Sequence, residues 1–308
     1  MEKLNNSPNE PSPKLEKKRK IIEEEINYNK DNKIILKSEK AQLIFQTRTH
    51  LKYIDKSSQF LLSDFYGNGF MDLFCIKNSG DRTAVHILHG EDNYESNSSF
   101  LTPFHNYDEN VEFKIGKYQN KKPNIYCIKK KITGSKTTEI HVLNGNNEYQ
   151  SFLYQYYTNL QETDDNWNFE VGDYNENGHF DIFCIRKKNT ESKKIEINIL
   201  FGNDNYKSFS SNIITTLPET DNNWEFLLRD YNHDGKLDLY CINKNGENKS
   251  TEVKILSGDS CFQDIILDIK LDFYSIDNFQ FCAGVYNGYE CVFGIKKNEI
   301  LEIHVFRI

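Results

Sequence analysis

Five stretches of this 308-residue chain repeat one pattern, and the repeat constrains the fold more than any other feature. Four copies join a polar loop to an aromatic residue and Cys-Ile: Ser63-DFYGNGFMDLFCI, Gly116-KYQNKKPNIYCI, Gly172-DYNENGHFDIFCI and Arg229-DYNHDGKLDLYCI. A fifth, weaker copy is Gly284-VYNGYECVFGI. Marked by Cys75, Cys127, Cys184, Cys241 and Gly294, the copies are 52, 57, 57 and 53 residues apart. Periods of this length indicate stacked supersecondary units.

Each unit contains four short runs rich in β-branched and aromatic residues, separated by Gly, Asn and Asp. In the third unit these runs are Asn168–Tyr174, His179–Arg186, Lys194–Phe201 and Ser208–Thr215. Runs of this composition between turn residues predict β-strands. The sequence therefore predicts an all-β fold, a β-propeller of about five four-stranded blades.

The two ends of the repeat region complement each other. The last unit stops after its third strand, Glu302–Phe306, and has no residues left for a fourth. Before the first unit, the segment around Leu43–Leu51 resembles the outer strand of the middle units. Because an unpaired strand edge invites aggregation, we expect this N-terminal strand to complete the last blade and close the ring.

Residues 1–40 differ in composition from the repeats. Half of the six prolines, Pro8, Pro11 and Pro13, lie there beside Asn, Ser and an alternating charged run. This composition predicts a polar, disordered tail with a short helix possible at Lys14–Ile26. The propeller is then expected to occupy residues 41–308.

Charge and hydropathy narrow the range of partners. The chain carries a net charge of −8, and the tail has ten Lys and Arg against eight Asp and Glu, so the repeats alone stand at −10. A repeat region with this net negative charge is a poor partner for nucleic acid. No apolar run approaches the length of a membrane span, and no signal peptide is evident. We expect a cytoplasmic or unconventionally secreted protein with buried, unpaired cysteines.

The loop of the fourth repeat has the spacing of a cation-binding loop. Asp230, Asn232, Asp234 and Asp238 place side-chain oxygens at positions 1, 3, 5 and 9, and Gly235 allows a sharp reversal at position 6. Alternating oxygen ligands around a glycine suit a hard cation such as Ca²⁺. The alternative is that Asp and Asn only shape Asx-turns between strands.

These motifs resemble the FG-GAP/VCBS repeats of integrin-α-like β-propellers, and the blades are similar to those of propeller lectins. The resemblance covers about residues 42–308 and implies calcium in the loops between the first two strands of a blade. Besides the fourth loop, it implies ligands at Asp173, Asn175, Asn177 and Asp181 and a weaker set at Asp64, Asn68 and Asp72. With so few ligand charges, we expect affinities on the order of 10⁻⁴ to 10⁻³ M.

Trp167 and Trp224 each precede the first Asp of a loop by six residues. An aromatic ring at this position can stack on the apolar face of a sugar, and the alternative is packing between blades. We name both as candidate ligand-binding residues.

The resemblance favours a non-enzymatic, calcium-supported module that recognises glycans or a protein surface. An alternative is a glycoside-active propeller enzyme, which needs carboxylates converging on the channel from several blades. We compared two registers of the first strands. The first register contains Leu61, Lys114, Glu170, Leu227 and Cys282, and the second, two residues earlier, contains Gln59, Glu112, Asn168, Glu225 and Gln280. Neither register contains an acidic set, so we expect no enzyme. A third alternative is an intracellular scaffold whose basic tail binds a partner.

Overall fold

A computed structural model describes residues 41–52, 54–117, 121–271 and 278–308. In these ranges the chain forms twenty β-strands in five four-stranded antiparallel sheets. The helices there are four single 3-10 turns, at Gly90–Asp92, Gly145–Asn147, Gly202–Asp204 and Glu247–Lys249. The prediction of an all-β propeller with five blades is confirmed.

Each blade is a meander whose strands pair in chain order. Blade 1 contains β2 (Gln59–Ser63), β3 (Asp72–Ser79), β4 (Arg82–Leu88) and β5 (Asn97–His105), and blade 2 contains β6 (Val111–Gly116), β7 (Asn124–Lys129), β8 (Thr137–Leu143) and β9 (Phe152–Gln161). Blade 3 contains β10 (Trp167–Gly172), β11 (Asp181–Arg186), β12 (Lys194–Leu200) and β13 (Ile213–Pro218), and blade 4 contains β14 (Trp224–Arg229), β15 (Asp238–Asn243), β16 (Thr251–Leu256) and β17 (Ile265–Leu271).

Blade 5 joins the two ends of the repeat region. It contains β18 (Phe279–Tyr286), β19 (Tyr289–Lys296), β20 (Glu302–Arg307) and, as its outer strand, β1 (Gln42–Arg48). β1 pairs antiparallel with β20, with a register shift between Leu43 and Phe45. The expected closure by an N-terminal strand is confirmed. The predicted tail, residues 1–40, lies outside the described residues, so that prediction remains untested.

The first strands of the blades form the inner ring. β2, β6, β10, β14 and β18 each contact the next, and β18 returns to β2. The blades approach closely there: a Cβ at Gly172 would lie 2.3 Å from Leu237 Cδ1 of the next blade. The inner strands therefore surround a central channel, and their starting ends meet at one end of it.

The core lies between successive blades. The second strands are apolar on both faces, and their cysteines Cys75, Cys127, Cys184 and Cys241 are fully buried and unpaired. Burial raises the pKa of Cys75 to about 12, so this thiol stays neutral. These cysteines behave as the small apolar residues that the sequence predicts.

One predicted strand differs from the structure. The fourth strand of blade 3 was expected at Ser208–Thr215 and lies at Ile213–Pro218 instead. Ahead of it, Ser210 Oγ accepts a hydrogen bond from the backbone N–H of Ile199 at 2.9 Å, and only a single bridge joins Leu200 to Phe209. The serine hydroxyl thus takes the place of one backbone acceptor, while the N–H groups of Ser210 and Phe201 still donate to the carbonyl oxygens of Ile199 and Ser208.

Candidate functional site

A cavity of 730 Å³ lies where the five inner strands begin, and we call it the axial cavity. Polar and charged side chains from all five blades line it: Gln59, Glu112, Lys114, Asn168, Glu225, Lys244, Gln280 and Lys297, with Asp55 and Lys56 at a preceding loop. Concave sites where several polar groups converge are the usual locations of ligand binding.

In four of the five blades, the first lining position of the inner strand links one blade to the next. Gln59 accepts from the Phe113 N–H at 2.9 Å, and Glu112 accepts from the Phe169 N–H at 3.2 Å. Each bond satisfies a backbone group of the following blade. Glutamate and glutamine at this position therefore hold the ring together, and this explains why four of the five blades have one of them there.

Two carboxylates of neighbouring blades share one ammonium group. Lys114 Nζ lies 2.7 Å from Glu170 Oε1 and 3.9 Å from Glu112 Oε2. The side chains of Glu170, Glu112 and Lys114 are only 11%, 15% and 17% exposed. The two distances limit the separation of these carboxylate oxygens to at most about 6.6 Å.

The pKa values in this cluster are perturbed by burial and by an excess of carboxylates. Burial raises the pKa of Glu170 above its usual range, outweighing Lys114, and Glu112 and Glu225 raise it further. Burial alone lowers the pKa of Lys114, but the carboxylates of Glu170 and Glu112 outweigh it and raise the pKa. Glu170 therefore retains its proton to higher pH than an ordinary glutamate, while Lys114 stays charged.

The predicted calcium loops are closed by their own hydrogen bonds. The first aspartate of each loop accepts from backbone N–H groups of the turn: Asp173 from Asn177 and Gly178, and Asp230 from Asp234 and Gly235, at 2.8 to 3.1 Å. In the first blade, Asp64 also contacts Lys117 Nζ at 3.2 Å. An ammonium group thus already occupies one side of the Asp64 loop.

The aspartate at position 9 connects two loops of its blade. Asp238 accepts from the N–H groups of Tyr231 and Gly258, both at 2.9 Å, and Asp181 and Asp72 make the equivalent pairs of bonds. All three aspartates are fully buried, and burial raises the pKa of each. Both oxygens of each carboxylate are therefore engaged away from a cation.

The remaining predicted ligands are four amides on the loop surface and Asp234, whose carboxylate accepts from Asn232 Nδ2 and from the Lys236 N–H. Asn68, Asn177 and Asn232 each accept a backbone N–H two residues later, and Asn175 is exposed. Across the described parts of the chain, no group of three His, Cys, Asp or Glu side chains is placed to hold a metal ion. The loops therefore fit Asx-turns better than a preformed calcium site, and calcium stays a prediction.

Trp167 and Trp224 lie at the starts of β10 and β14, half-buried against the interblade core. The Arg186 guanidinium lies 5.7 Å from the Trp167 ring centroid. Neither tryptophan lines the axial cavity. A role in ligand binding stays a prediction that these positions do not support.

The sequence reasoning missed the cluster of Glu112, Lys114 and Glu170. It compared equivalent positions of the repeats, whereas Glu112 and Glu170 occupy positions two residues apart in adjacent strands. The pair is found only when both registers of the inner strands, the one with Glu112 and the one with Glu170, are considered together for adjacent blades.

Known structures share this fold. Neither a protein-family profile nor a curated protein sequence matches the chain. It resembles the catalytic domain of a Coprinopsis cinerea GH62 α-L-arabinofuranosidase at a TM-score of 0.53 and 7% identity, covering 85% of this chain and 96% of that one. An α-L-arabinofuranosidase from Podospora anserina gives 0.52 and 10%, covering 84% and 96%. An endo-arabinase from Bacteroides thetaiotaomicron gives 0.51 and 10%, covering 84% and 95%. At these identities the likeness shows the fold.

The expectation of a non-enzymatic, lectin-like module is wrong on both of its grounds. The propellers that this chain resembles are named as arabinofuranosidases and an endo-arabinase rather than lectins. Two carboxylates of adjacent blades do come together: Glu112 lines the axial cavity, and Glu170 lies beside it at the Lys114 ammonium group. Over the described residues no helix is long and apolar enough to cross a membrane.

Proposed function

We propose that this chain is a glycoside-active propeller enzyme whose reaction takes place in the axial cavity. The observation that carries the proposal is the pair of carboxylates, Glu112 and Glu170, held by Lys114. Glycoside hydrolysis uses two carboxyl groups, one as a general acid and one as a nucleophile or base. The glycoside class of the similarly folded enzymes supports the same reaction class.

Glu170 is suited to act as the general acid. Its carboxyl group is almost buried, and burial raises its pKa, so it keeps to higher pH than an exposed glutamate the proton that a general acid donates to a leaving oxygen. Like-charge repulsion from Glu112 and Glu225 acts in the same direction. An ordinary exposed glutamate would be ionised and unable to donate at neutral pH.

Glu112 suits the role of nucleophile or base. Phe169 N–H donates to Oε2, and Lys130 Nζ lies 3.2 Å from Oε1. These two donors fix the orientation of the carboxylate. The oxygens of the two carboxylates are at most about 6.6 Å apart. This limit allows the separation of about 5 to 5.5 Å that is typical of enzymes that retain anomeric configuration.

We also propose that the repeats are of the FG-GAP/VCBS type. The loops of blades 1, 3 and 4 keep the DYNxxGxxD-like pattern and its turn geometry, which supports an FG-GAP/VCBS-type repeat. A glycan as the partner follows from the proposed reaction.

A panel of aryl furanosides and pyranosides tests the proposal. We expect the wild-type protein to release the aryl group from at least one of them, and Glu170→Gln to lower the rate by at least about 100-fold, as loss of a general acid does. Glu191→Gln, on an exposed glutamate outside the cavity, is the matched control and should retain the wild-type rate. Equal rates for the Glu170 and Glu191 variants, or no turnover across the panel by folded protein, would overturn the proposal.

A further inference from the structure

Four blades place a lysine at the same point beside the axial cavity. It follows the second strand of blades 2 to 5 as Lys130, Lys187, Lys244 and Lys297. The backbone N–H of each donates to the carbonyl oxygen of an asparagine before the inner strand at 2.8 to 2.9 Å, namely Asn110, Asn166, Asn223 and Asn278. The four lysines are therefore structurally equivalent.

In blades 2 and 4 this lysine has a glutamate partner on the inner strand. Lys130 Nζ lies 3.2 Å from Glu112, and Lys244 Nζ lies 2.8 Å from Glu225. The same glutamates accept the N–H of the next blade, from Phe169 and Phe281. One carboxylate thus joins two blades and neutralises one lysine.

Blade 3 lacks this partner. The equivalent inner-strand residue is Asn168, which is one methylene shorter and uncharged. Its Oδ1 is buried, and no described residue donates to it. Lys187 is only 6% exposed, and within the described ranges no carboxylate lies within ion-pair distance of its Nζ. Blade 3 therefore leaves the ammonium group of Lys187 without the carboxylate partner that the equivalent lysines of blades 2 and 4 have.

An unpaired buried ammonium group is costly. Burial lowers the pKa of Lys187, while Glu112, Asp165 and Asp221 act on it from longer range without compensating for burial. Lys130 repels it from the neighbouring blade. The position has the electrostatics of a site whose counter-ion comes from outside the chain.

We propose that Lys187 forms an anion subsite beside Asn168, at the edge of the axial cavity, which binds an acidic substituent, carboxylate or sulfate, of the glycan substrate. Asn168 and two of the equivalent lysines, Lys244 and Lys297, line the cavity, so a bound glycan can reach this edge. An anion would supply the charge that Glu112 and Glu225 supply in the adjacent blades. The inference rests on the proposed function for its ligand class and predicts an acidic glycan rather than a neutral one.

Two substitutions at one position separate charge from shape. Asn168→Glu gives Lys187 the partner that Lys130 and Lys244 have, whereas Asn168→Gln adds the same length without charge. Lys187→Met removes the ammonium group, and Lys188→Met, at the exposed neighbouring lysine, controls for net charge. Full-length protein is titrated calorimetrically with oligogalacturonides, sulfated heparin oligosaccharides and neutral arabino-oligosaccharides.

We expect an acidic oligosaccharide to bind at least about tenfold more tightly than the neutral one, with the two acidic probes distinguishing carboxylate from sulfate. Asn168→Glu and Lys187→Met should each remove that preference, while Asn168→Gln and Lys188→Met retain it. Asn168→Glu should also raise the melting temperature. Unchanged acidic binding in Asn168→Glu, equal loss in Lys188→Met, or no preference for either acidic probe would overturn the anion subsite.

The binding readout is independent of turnover. If Glu170→Gln retains activity while Asn168→Glu loses acidic binding, the proposed reaction fails and the anion subsite stands. If neutral glycosides are hydrolysed and Asn168→Glu changes no binding, the anion subsite fails and the proposed reaction stands.

Discussion

Gln280 of blade 5 pairs with both backbone groups of Phe60 in blade 1. Phe60 N–H donates to Gln280 Oε1 at 3.1 Å, and Gln280 Nε2 donates to the Phe60 carbonyl oxygen at 2.8 Å. The two residues are 220 positions apart in the sequence. The ring is therefore closed twice, by this side chain at the channel and by β1 against β20 at the rim.

Removing the inner closure should destabilise the fold. In Gln280→Ala, the N–H of Phe60 loses its partner in a partly buried place and its carbonyl oxygen keeps only the Cys282 thiol, 3.5 Å away, which costs about 1–3 kcal/mol of unfolding free energy. Chemical denaturation monitored by tryptophan fluorescence measures it. Gln161→Ala, at an exposed position of the outer strand β9, is the control and should change stability by less than about 0.5 kcal/mol. Equal effects of the two substitutions would contradict a closing role for Gln280.

Removing the outer closure should have a larger effect. A chain lacking residues 1–40 keeps β1 and should melt cooperatively, whereas a chain lacking residues 1–53 exposes the edge of β20 and should aggregate or lose cooperative melting. Calorimetry and size-exclusion chromatography compare the two truncations. Indistinguishable behaviour would mean that β1 contributes little to closure.

The fold could be predicted from the sequence because each repeat contains short, recognisable residue patterns. Cys184 and its equivalents mark the second strand of each blade, and the turn residues around Gly178 mark where it begins. The site could not be predicted in the same way, because Glu112 and Glu170 meet only after adjacent strands acquire their relative register. The sequence predicts cation binding in the acidic loops because aspartates lie at alternate positions. In the structure, however, the Asp238 carboxylate accepts hydrogen bonds from two backbone N–H groups.

The stereochemistry of the reaction tests the pairing of Glu170 with Glu112. Because their carboxylate oxygens lie at most about 6.6 Å apart, there is little room for a water between them and the sugar, and we expect net retention of anomeric configuration. Proton NMR of the first-formed sugar from an aryl glycoside shows which anomer appears. Initial formation of the inverted anomer would remove Glu112 as nucleophile.

Calcium binding is testable by melting. If Asp230, Asp234 and Asp238 bind Ca²⁺, millimolar calcium should raise the melting temperature by mass action, and Asp234→Ala should reduce that rise more than Asp64→Ala. The Asp64 loop is the internal control, because Lys117 already neutralises it. An unchanged melting temperature on adding calcium or chelator would mean that the loops are turns only.

A half-buried histidine, His86, should make the fold sensitive to acid. Burial, assisted by Lys77, lowers the pKa of His86 in β4 to about 4, against about 6.5 in an unfolded chain. Because the folded-state pKa is the lower one, the stabilising contribution of His86 is present above pH 6.5 and is lost as the pH falls towards 4. Because solvent screens this half-buried group, the loss is on the order of 2 kcal/mol, less than the full shift would give.

His86→Gln cannot gain this proton, so its unfolding free energy should fall less steeply between pH 6.5 and 4 than that of the wild type. The matched control is His179→Gln, at an exposed histidine, which should keep the wild-type slope. Denaturant titrations at half-unit pH steps measure the three slopes. Some slope should remain in His86→Gln, because burial also lowers the pKa values of His141 and His304. A wild-type slope in His86→Gln would show that His86 does not stay neutral in the folded protein.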